Sequence, residues 1–340
     1  MSMTHGILTL KFTALHLNSK SGGHFRNRKG RFYFINVIAF VLHLSKLLNM
    51  SSVNLKENYS LRHLISFRVG GEARFFCEIE TNEQFLEVKN KAIQQNKPLF
   101  ILGRGTNVVI SDKGFDGYIV KLSRSFSELS IEGSILKAKA ATPISRIARY
   151  SIQNNLSGMH LLAGIPGTLG GAIYMNAGAY GQDISQSVIE VKSINNQGQI
   201  ITRDKSACSF SYRHSIFQEN KECILEASFQ LTLGSKDALE KEMNTVMQKR
   251  RDFQPLEYPN AGSVFKRTPQ DFPGALVEKA GLKGFSIGGA MVSPKHANFI
   301  INTGNATAQN IYDLTSVIIE TVFKQTGIQL EREIIFLGDF

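Results

Sequence analysis

The residues most able to do chemistry sit in a few short stretches. "SYRHSIF" (211–217) sets Tyr212, Arg213 and His214 side by side. Arginine clamps a carboxylate through two parallel hydrogen bonds, so Arg213 suits a carboxylate ligand. "PNAGSVFKR" (259–267) places Ser263 in a tight turn between Gly262 and Val264. A nucleophile elbow would need glycine at 265, where Phe265 stands, so no acyl-transfer triad follows. A serine there can still deliver a proton, given a low-dielectric site. "GGAMVSPKHANFIIN" (288–302) carries Lys295 and His296 before an apolar run, and "LEREIIF" (330–336) sets Glu331 and Glu333 on one face of a strand. Taken singly, each of these stretches is also compatible with an ordinary turn or a solvated strand edge. No HxxxH or HExxH spacing occurs, so no metal site is expected.

Two further stretches offer backbone rather than side chains. "AGIPGTLGGAIYMNAGAYG" (163–181) holds six glycines and no charge in nineteen residues. Glycine is costly inside regular elements, so such a run is either a set of unusual turns or a surface that another molecule approaches closely. "GRGTN" (103–107) follows the apolar run "LFIL". It misses the dinucleotide fingerprint, because Val108 occupies the third glycine position and β-formers follow. It can still form a nest of N–H groups aimed at a phosphate, with Asn107 adding an amide. Two uncharged glycine-rich loops suit one long anionic ligand, such as the pyrophosphate between a flavin and an adenosine.

The elements that must position these residues alternate between helix and strand periods. A helix is predicted over 81–97, ended by Pro98, followed by strands at 99–103, 108–111 and 118–122, with "FDG" (115–117) as a turn. A strand at 134–142 and a helix at 143–155 precede the long glycine stretch. A hairpin at 187–202 turns at "NNQG", and a strand covers 223–233. A charged helix runs from about Lys236 to Arg251, an amphipathic one spans 307–327 with Gly327 as its stop, and a last strand covers 333–338. Hairpins are too frequent for a purely doubly wound sheet, so the class is α+β.

Composition bounds the reading. At 340 residues the chain has room for two or three domains. Cys77, Cys208 and Cys223 are scattered, which disfavours a disulfide framework and fits a reducing compartment. The formal charge is +11, but residues 1–49 contribute +7 of it through Lys and Arg with no acidic residue. The body is therefore only modestly basic, and no nucleic-acid partner is inferred. Residues 1–49 read as an extension outside the fold, with a normal domain start at Met50.

Together these motifs resemble the UDP-N-acetylenolpyruvoylglucosamine reductase family, flavoenzymes of bacterial cell-wall (peptidoglycan) synthesis. "GRGTNVVISD", "GIPGTLGGAIYMNAGAYG", "YRHSIF", "PNAGSVFKR", "GGAMVSPKHANFIIN" and "LEREIIFLG" occur in the family's order and spacing, from about Leu61 to Gly338. The short link after "SIF" resembles the type II branch, which lacks a substrate-covering insertion. The resemblance implies an α+β, two-subdomain FAD-binding fold of the vanillyl-alcohol-oxidase/PCMH type (50–122 and 123–234) with a C-terminal substrate-binding domain (235–340). Non-covalent FAD would lie against Gly103, Arg104, Gly105, Thr106 and Asn107 on one side. On the other side would be Gly164, Ile165, Pro166, Gly167, Gly170, Gly171, Asn176, Gly178, Ala179, Tyr180 and Gly181.

The resemblance also implies a reaction. NADPH reduces FAD, and the enolpyruvyl group of UDP-N-acetylglucosamine enolpyruvate then takes the hydride. Ser263 resembles the general acid, and Arg213 with Glu333 the pair that polarises the substrate carboxylate. Tyr212, Asn260, Lys266 and Lys295 are candidate substrate or diphosphate contacts. Phe253 stands where a lysine is expected in this branch, so Arg250 or Arg251 is a candidate replacement. A cytoplasmic monomer without a membrane partner is expected. Another FAD-dependent sugar or lactone oxidoreductase, or a non-catalytic nucleotide-binding relative, are the alternatives. The joint presence of Arg213, Ser263 and Glu333 argues against both.

Overall fold

Apolar runs of β-branched and aromatic residues build the first sheet. The computed structural model describes residues 53–340, so the reading of the 1–49 extension lies outside the described residues. The sheet runs in the order Lys56–Ser60, Glu72–Ile79, Phe115–Leu122, Leu99–Ile101. The outer pair Lys56–Ser60 and Glu72–Ile79 is antiparallel, and the remaining pairings are parallel. The parallel pairing needs a crossover, and helix Asn82–Gln94 supplies it. That helix begins at Thr81, whose side chain accepts the Gln84 N–H. The expected "FDG" turn is instead the start of strand Phe115–Leu122. Gly117 admits the Pro98 carbonyl where a Cβ would collide with it, which lets the strand run through.

The second sheet is antiparallel throughout: Ile200–Asp204, Val188–Ile194, Cys223–Gln230, Ile135–Lys139, Leu129–Glu132. Helices Ile144–Gln153 and Leu169–Tyr174 accompany it. The second of these lies inside the long glycine stretch, for which the sequence reading names no helix. A core of Leu136, Ile147, Leu169, Val191, Phe217 and Phe229 forms here. Phe85, Tyr118 and Val120 of the first unit pack with Ile194 and Leu225 of the second, which fixes the two sheets relative to each other.

The C-terminal region has a three-stranded sheet (Ser286–Ile287, Ala290–Val292, Ile300–Asn302) and helix Ala308–Thr326. Thr307 and Asn310 form a capping box at that helix, and Gly327 closes it at φ +70°. The Asp112 carboxylate accepts the Ala308 and Gln309 N–H groups at 3.0 and 2.9 Å. The acid of "VVISD" thus caps a helix almost two hundred residues away, where negative charge is favoured.

This region shares one core with the first sheet, through Phe67, Ile110, Ile119, Val264, Phe265, Val292 and Ile318. The final strand, Ile335–Leu337, pairs in parallel with Val108–Ile110. Helix Lys236–Phe253 packs instead on the second unit, where His160 Nε2 meets Glu242 Oε2 at 2.8 Å. Cys77, Cys208 and Cys223 are buried, and burial pushes the first and last thiols up to about 12.

Candidate active site

The return of the last strand is what assembles the site. Glu333 N–H donates to the Val264 carbonyl at 2.7 Å, and Lys266 N–H donates to the Glu331 carbonyl at 2.9 Å. Asn107 Nδ2 donates to the Glu333 carbonyl at 3.1 Å, while Ile335 N–H donates to the Asn107 carbonyl. Glu333 is therefore held between the Ser263 turn and the first glycine loop. The turn itself is rigid. Gly262 N–H bonds Asn260 Oδ1, and the buried Asn298 amide bonds both the N–H and the carbonyl of Phe265. Ser263 is half-buried, and its hydroxyl has no protein partner among the described residues.

Arg213 reaches Glu333 from the second unit. Its Nε donates to Oε1 at 2.6 Å, with both side chains largely buried. Its Nη2 donates to the Gly178 carbonyl at 3.3 Å. Arg213 adopts φ +55°, which costs a non-glycine residue roughly 1–3 kcal/mol. The surrounding contacts hold it there. The Arg213 carbonyl accepts Gln218 Nε2, Asn176 Nδ2 bonds the Ser211 carbonyl, and Ser215 Oγ bonds the Tyr174 carbonyl. Burial raises the Glu333 carboxyl above the ordinary range, outweighing the opposing pull of Arg213 and Lys266. A carboxyl poised this way, against a guanidinium, can polarise or hydrogen-bond a ligand carboxylate.

The two glycine stretches meet beside this pair. A Cβ on Gly103 would lie 3.0 Å from Thr168 Oγ1. The five backbone N–H groups from Gly103 to Asn107 have no acceptor among the described residues. Gly105 sits at φ +63°, with the Leu64 carbonyl directly over its α-carbon, so no side chain fits. A cleft of about 780 Å³ flanks this loop, lined by Arg62, His63, Arg68, Arg104, Ser66 and Thr106 with no acidic side chain. Ser66 Oγ is buried there without a partner. Unpaired amides, an orphan hydroxyl and cations are the groups that can hold a phosphate-bearing ligand.

Other expected site residues are placed differently. In the long stretch, Gly164, Ile165, Gly167, Gly178 and Ala179 are half-buried, and Pro166, Gly171, Tyr180 and Gly181 are exposed. Gly170 N–H bonds the Ala140 carbonyl, and that residue packs on the sheet. Asn176 is buried, its amide spent on Ser211 and Ser185. The Asn260 amide is spent on its own turn, bonding the Pro255 and Tyr258 carbonyls. Lys266 pairs with Glu331, and Lys295 Nζ donates to the Arg251 carbonyl at 2.7 Å. Tyr212 is exposed, its hydroxyl accepting the Arg267 N–H. Sequence reasoning missed Arg62, Ser66 and Arg68. The "SFRVGG" run, with its arginine before paired glycines, was the available signal.

The chain is similar to known proteins over most of its length. Residues 254–337 match the C-terminal domain of UDP-N-acetylenolpyruvoylglucosamine reductase, and residues 73–204 match an FAD binding domain. The chain is 41% identical over 282 residues to UDP-N-acetylenolpyruvoylglucosamine reductase of Caldanaerobacter subterraneus, covering 83% of this chain and 93% of that protein. The chain belongs to the UDP-N-acetylenolpyruvoylglucosamine reductase family. It is also 39% identical over 286 residues to reductase 2 of Bacillus cereus, covering 84% of this chain and 93% of that one. The crystal structure of the Thermus caldophilus reductase superposes with TM-score 0.72 at 26% identity, over 84% of this chain and 99% of that one. The family's α+β fold is the one expected from the sequence.

Proposed function

We propose that this chain reduces UDP-N-acetylglucosamine enolpyruvate to UDP-N-acetylmuramate with NADPH, through FAD, in peptidoglycan precursor synthesis. The observation that carries the reading is the Arg213–Glu333 pair, held across the Ser263 turn and against the two glycine stretches. FAD fits the residues present. The unpaired amides of Gly103 to Asn107 and the flanking arginines would hold its diphosphate, and Gly164, Gly167, Gly178 and Ala179 would lie along the same ligand. Bound FAD supplies the two-electron chemistry between NADPH and the enolpyruvyl group.

The protein's own residues do the rest. Arg213 and Glu333 hold the substrate carboxylate and draw charge onto it as the adjacent carbon becomes electron-rich. Burial keeps water from competing for those oxygens and keeps Glu333 able to share a proton. Ser263 donates its proton to that carbon, a transfer a high-pKa hydroxyl makes only to a strongly basic acceptor. Tyr212 and Lys295 border the nucleotide, while Asn260 acts by fixing the Ser263 turn. No helix among the described residues is long and apolar enough to cross a membrane, and a cytoplasmic monomer is proposed.

The test is an absorbance spectrum of the purified protein, then anaerobic NADPH, then the enolpyruvyl sugar nucleotide. Yellow protein that bleaches with NADPH and recolours with that substrate supports the reading. Protein that cannot take up FAD overturns it.

A further inference from the structure

The Ser263 hydroxyl has no protein partner among the described residues, so its place is set through the backbone on either side of it. On the N-terminal side the bonds are local. Asn260 Oδ1 accepts the Gly262 N–H, and Asn260 Nδ2 donates to the Pro255 and Tyr258 carbonyls. These bonds shape the turn but travel with it. On the C-terminal side they come from a distant segment. The Asn298 carbonyl accepts the Val264 N–H at 2.9 Å, Asn298 Oδ1 accepts the Phe265 N–H at 3.0 Å, and Asn298 Nδ2 donates to the Phe265 carbonyl at 3.0 Å. The Asn298 N–H donates to His296 Nδ1 at 3.2 Å. Every kind of polar group on Asn298 is therefore committed, and three of these bonds go to the two residues that follow Ser263. Asn298, Val264 and Phe265 are all buried.

The segment after Ser263 is gripped on both edges. On one edge Glu333 N–H bonds the Val264 carbonyl and Lys266 N–H bonds the Glu331 carbonyl. On the other edge the Asn298 side chain takes the place of a strand neighbour, because a carboxamide offers one donor and one acceptor, as a peptide unit does. Asn298 leads into strand Ile300–Asn302, whose Asn302 N–H bonds the Pro259 carbonyl at 2.9 Å. The whole turn from Pro259 to Phe265 thus hangs on residues 298–302. Val264 joins the two sides: Asn298 holds its N–H and the Glu333 backbone holds its carbonyl. Asn298 consequently sets where Ser263 stands relative to the Arg213–Glu333 pair.

We propose that Asn298 is the positioning residue for Ser263, acting on proton delivery through the backbone of Val264 and Phe265. The inference rests on the functional reading above. Asn298→Asp keeps the size and one acceptor but sets an oxygen against the Phe265 carbonyl. Asn298→Ser is the companion variant, keeping one hydroxyl able to bond a single Phe265 group. Both are prepared as holoenzyme, alone and combined with Ser263→Ala. Anaerobic stopped-flow absorbance follows bleaching by NADPH and recolouring by the enolpyruvyl substrate, with thermal unfolding recorded for each protein.

Bleaching should stay near the parent rate. The limiting rate of recolouring should fall by about tenfold or more in Asn298→Asp and by less in Asn298→Ser, since a small displacement of a reacting group can cost about 100-fold. The substrate concentration that half-saturates recolouring should hold, because Arg213 and Glu333 keep the carboxylate. The deciding comparison is non-additivity. Asn298→Asp combined with Ser263→Ala should recolour no slower than Ser263→Ala alone, because no proton donor is left to place. Further slowing in the double variant overturns the proposal. So does equal slowing of bleaching and recolouring, which would make Asn298 a general support of the fold. A raised half-saturation with an unchanged limiting rate also overturns it. If Asn298→Asp does not fold, Asn298→Ser carries the same comparison. A parent that fails to recolour, or Ser263→Ala recolouring at the parent rate, sinks the functional reading, and the proposal falls with it.

Discussion

Replacing Ser263 with alanine isolates one step of the proposed chemistry. The Ser263 hydroxyl has no protein partner among the described residues, so its removal strands no buried donor or acceptor. The turn is held by Asn260 and Asn298 and by the Glu333–Val264 backbone bond, none of which the substitution touches. The cost in folding stability should therefore be within about 0.5 kcal/mol, as for a surface change. A general acid contributes roughly 100- to 10,000-fold, which at 1.36 kcal/mol per decade is about 2.7 to 5.4 kcal/mol of barrier. The kinetic loss should exceed any folding effect several-fold and should fall on one half-reaction. Stopped-flow absorbance under anaerobic conditions separates the two. Bleaching by NADPH should proceed near the parent rate, and recolouring by the enolpyruvyl substrate should slow by at least 100-fold. Equal slowing of both phases, or a fall in melting temperature that accounts for the loss, would refute the role assigned to Ser263.

Glu333→Gln should likewise spare bleaching and slow recolouring. Because burial raises the Glu333 pKa, the parent's recolouring rate should decline as pH rises through that raised value, and the variant should lose this limb of the profile. Gly105→Ala should destabilise by more than about 2 kcal/mol in denaturant unfolding, since a Cβ at φ +63° would meet the Leu64 carbonyl. An unchanged midpoint would show that the loop yields without cost. Glu222 is buried with Arg203 Nη2 at 2.6 Å and Ser193 Oγ at 2.6 Å. Burial pushes its pKa up, but those hydrogen bonds outweigh it and the net shift is downward. Its stabilisation is therefore complete above the ordinary carboxylate range and lost as pH falls through the lowered value. Glu222→Gln should cost about 3 kcal/mol at neutral pH, with the gap closing in acid, as read from melting temperature against pH.

Chain-local signals were enough for much of this protein. The 3.6-residue period of 307–327, with Thr307 before it and Gly327 after, marked a helix because capping and amphipathicity are properties of neighbouring residues. The "NNQG" turn and its flanking strands were legible for the same reason. So were the chemical types at 213, 263 and 333, and the concentration of glycine at 163–181. Local signals failed where a long-range contact decided the conformation. Residues 115–117 look like a turn, yet they extend because Phe115 pairs in parallel with Ala73 and Gly117 leaves room for the Pro98 carbonyl. Asp112 gave no sign that it caps a distant helix.

The site itself was decided only by tertiary structure. Nothing local to Glu333 distinguishes it from a solvated strand glutamate. It becomes a buried partner for Arg213 because the last strand returns to pair with Val108–Ile110. Arg250 and Arg251 are adjacent and chemically identical in sequence, but helical geometry turns one guanidinium to Gln248 and inserts the other beside Gly164. A side chain's charge is written in its residue type. Its solvation and its partners depend on which distant segments close around it, and those are fixed only when the sheets and the shared core assemble.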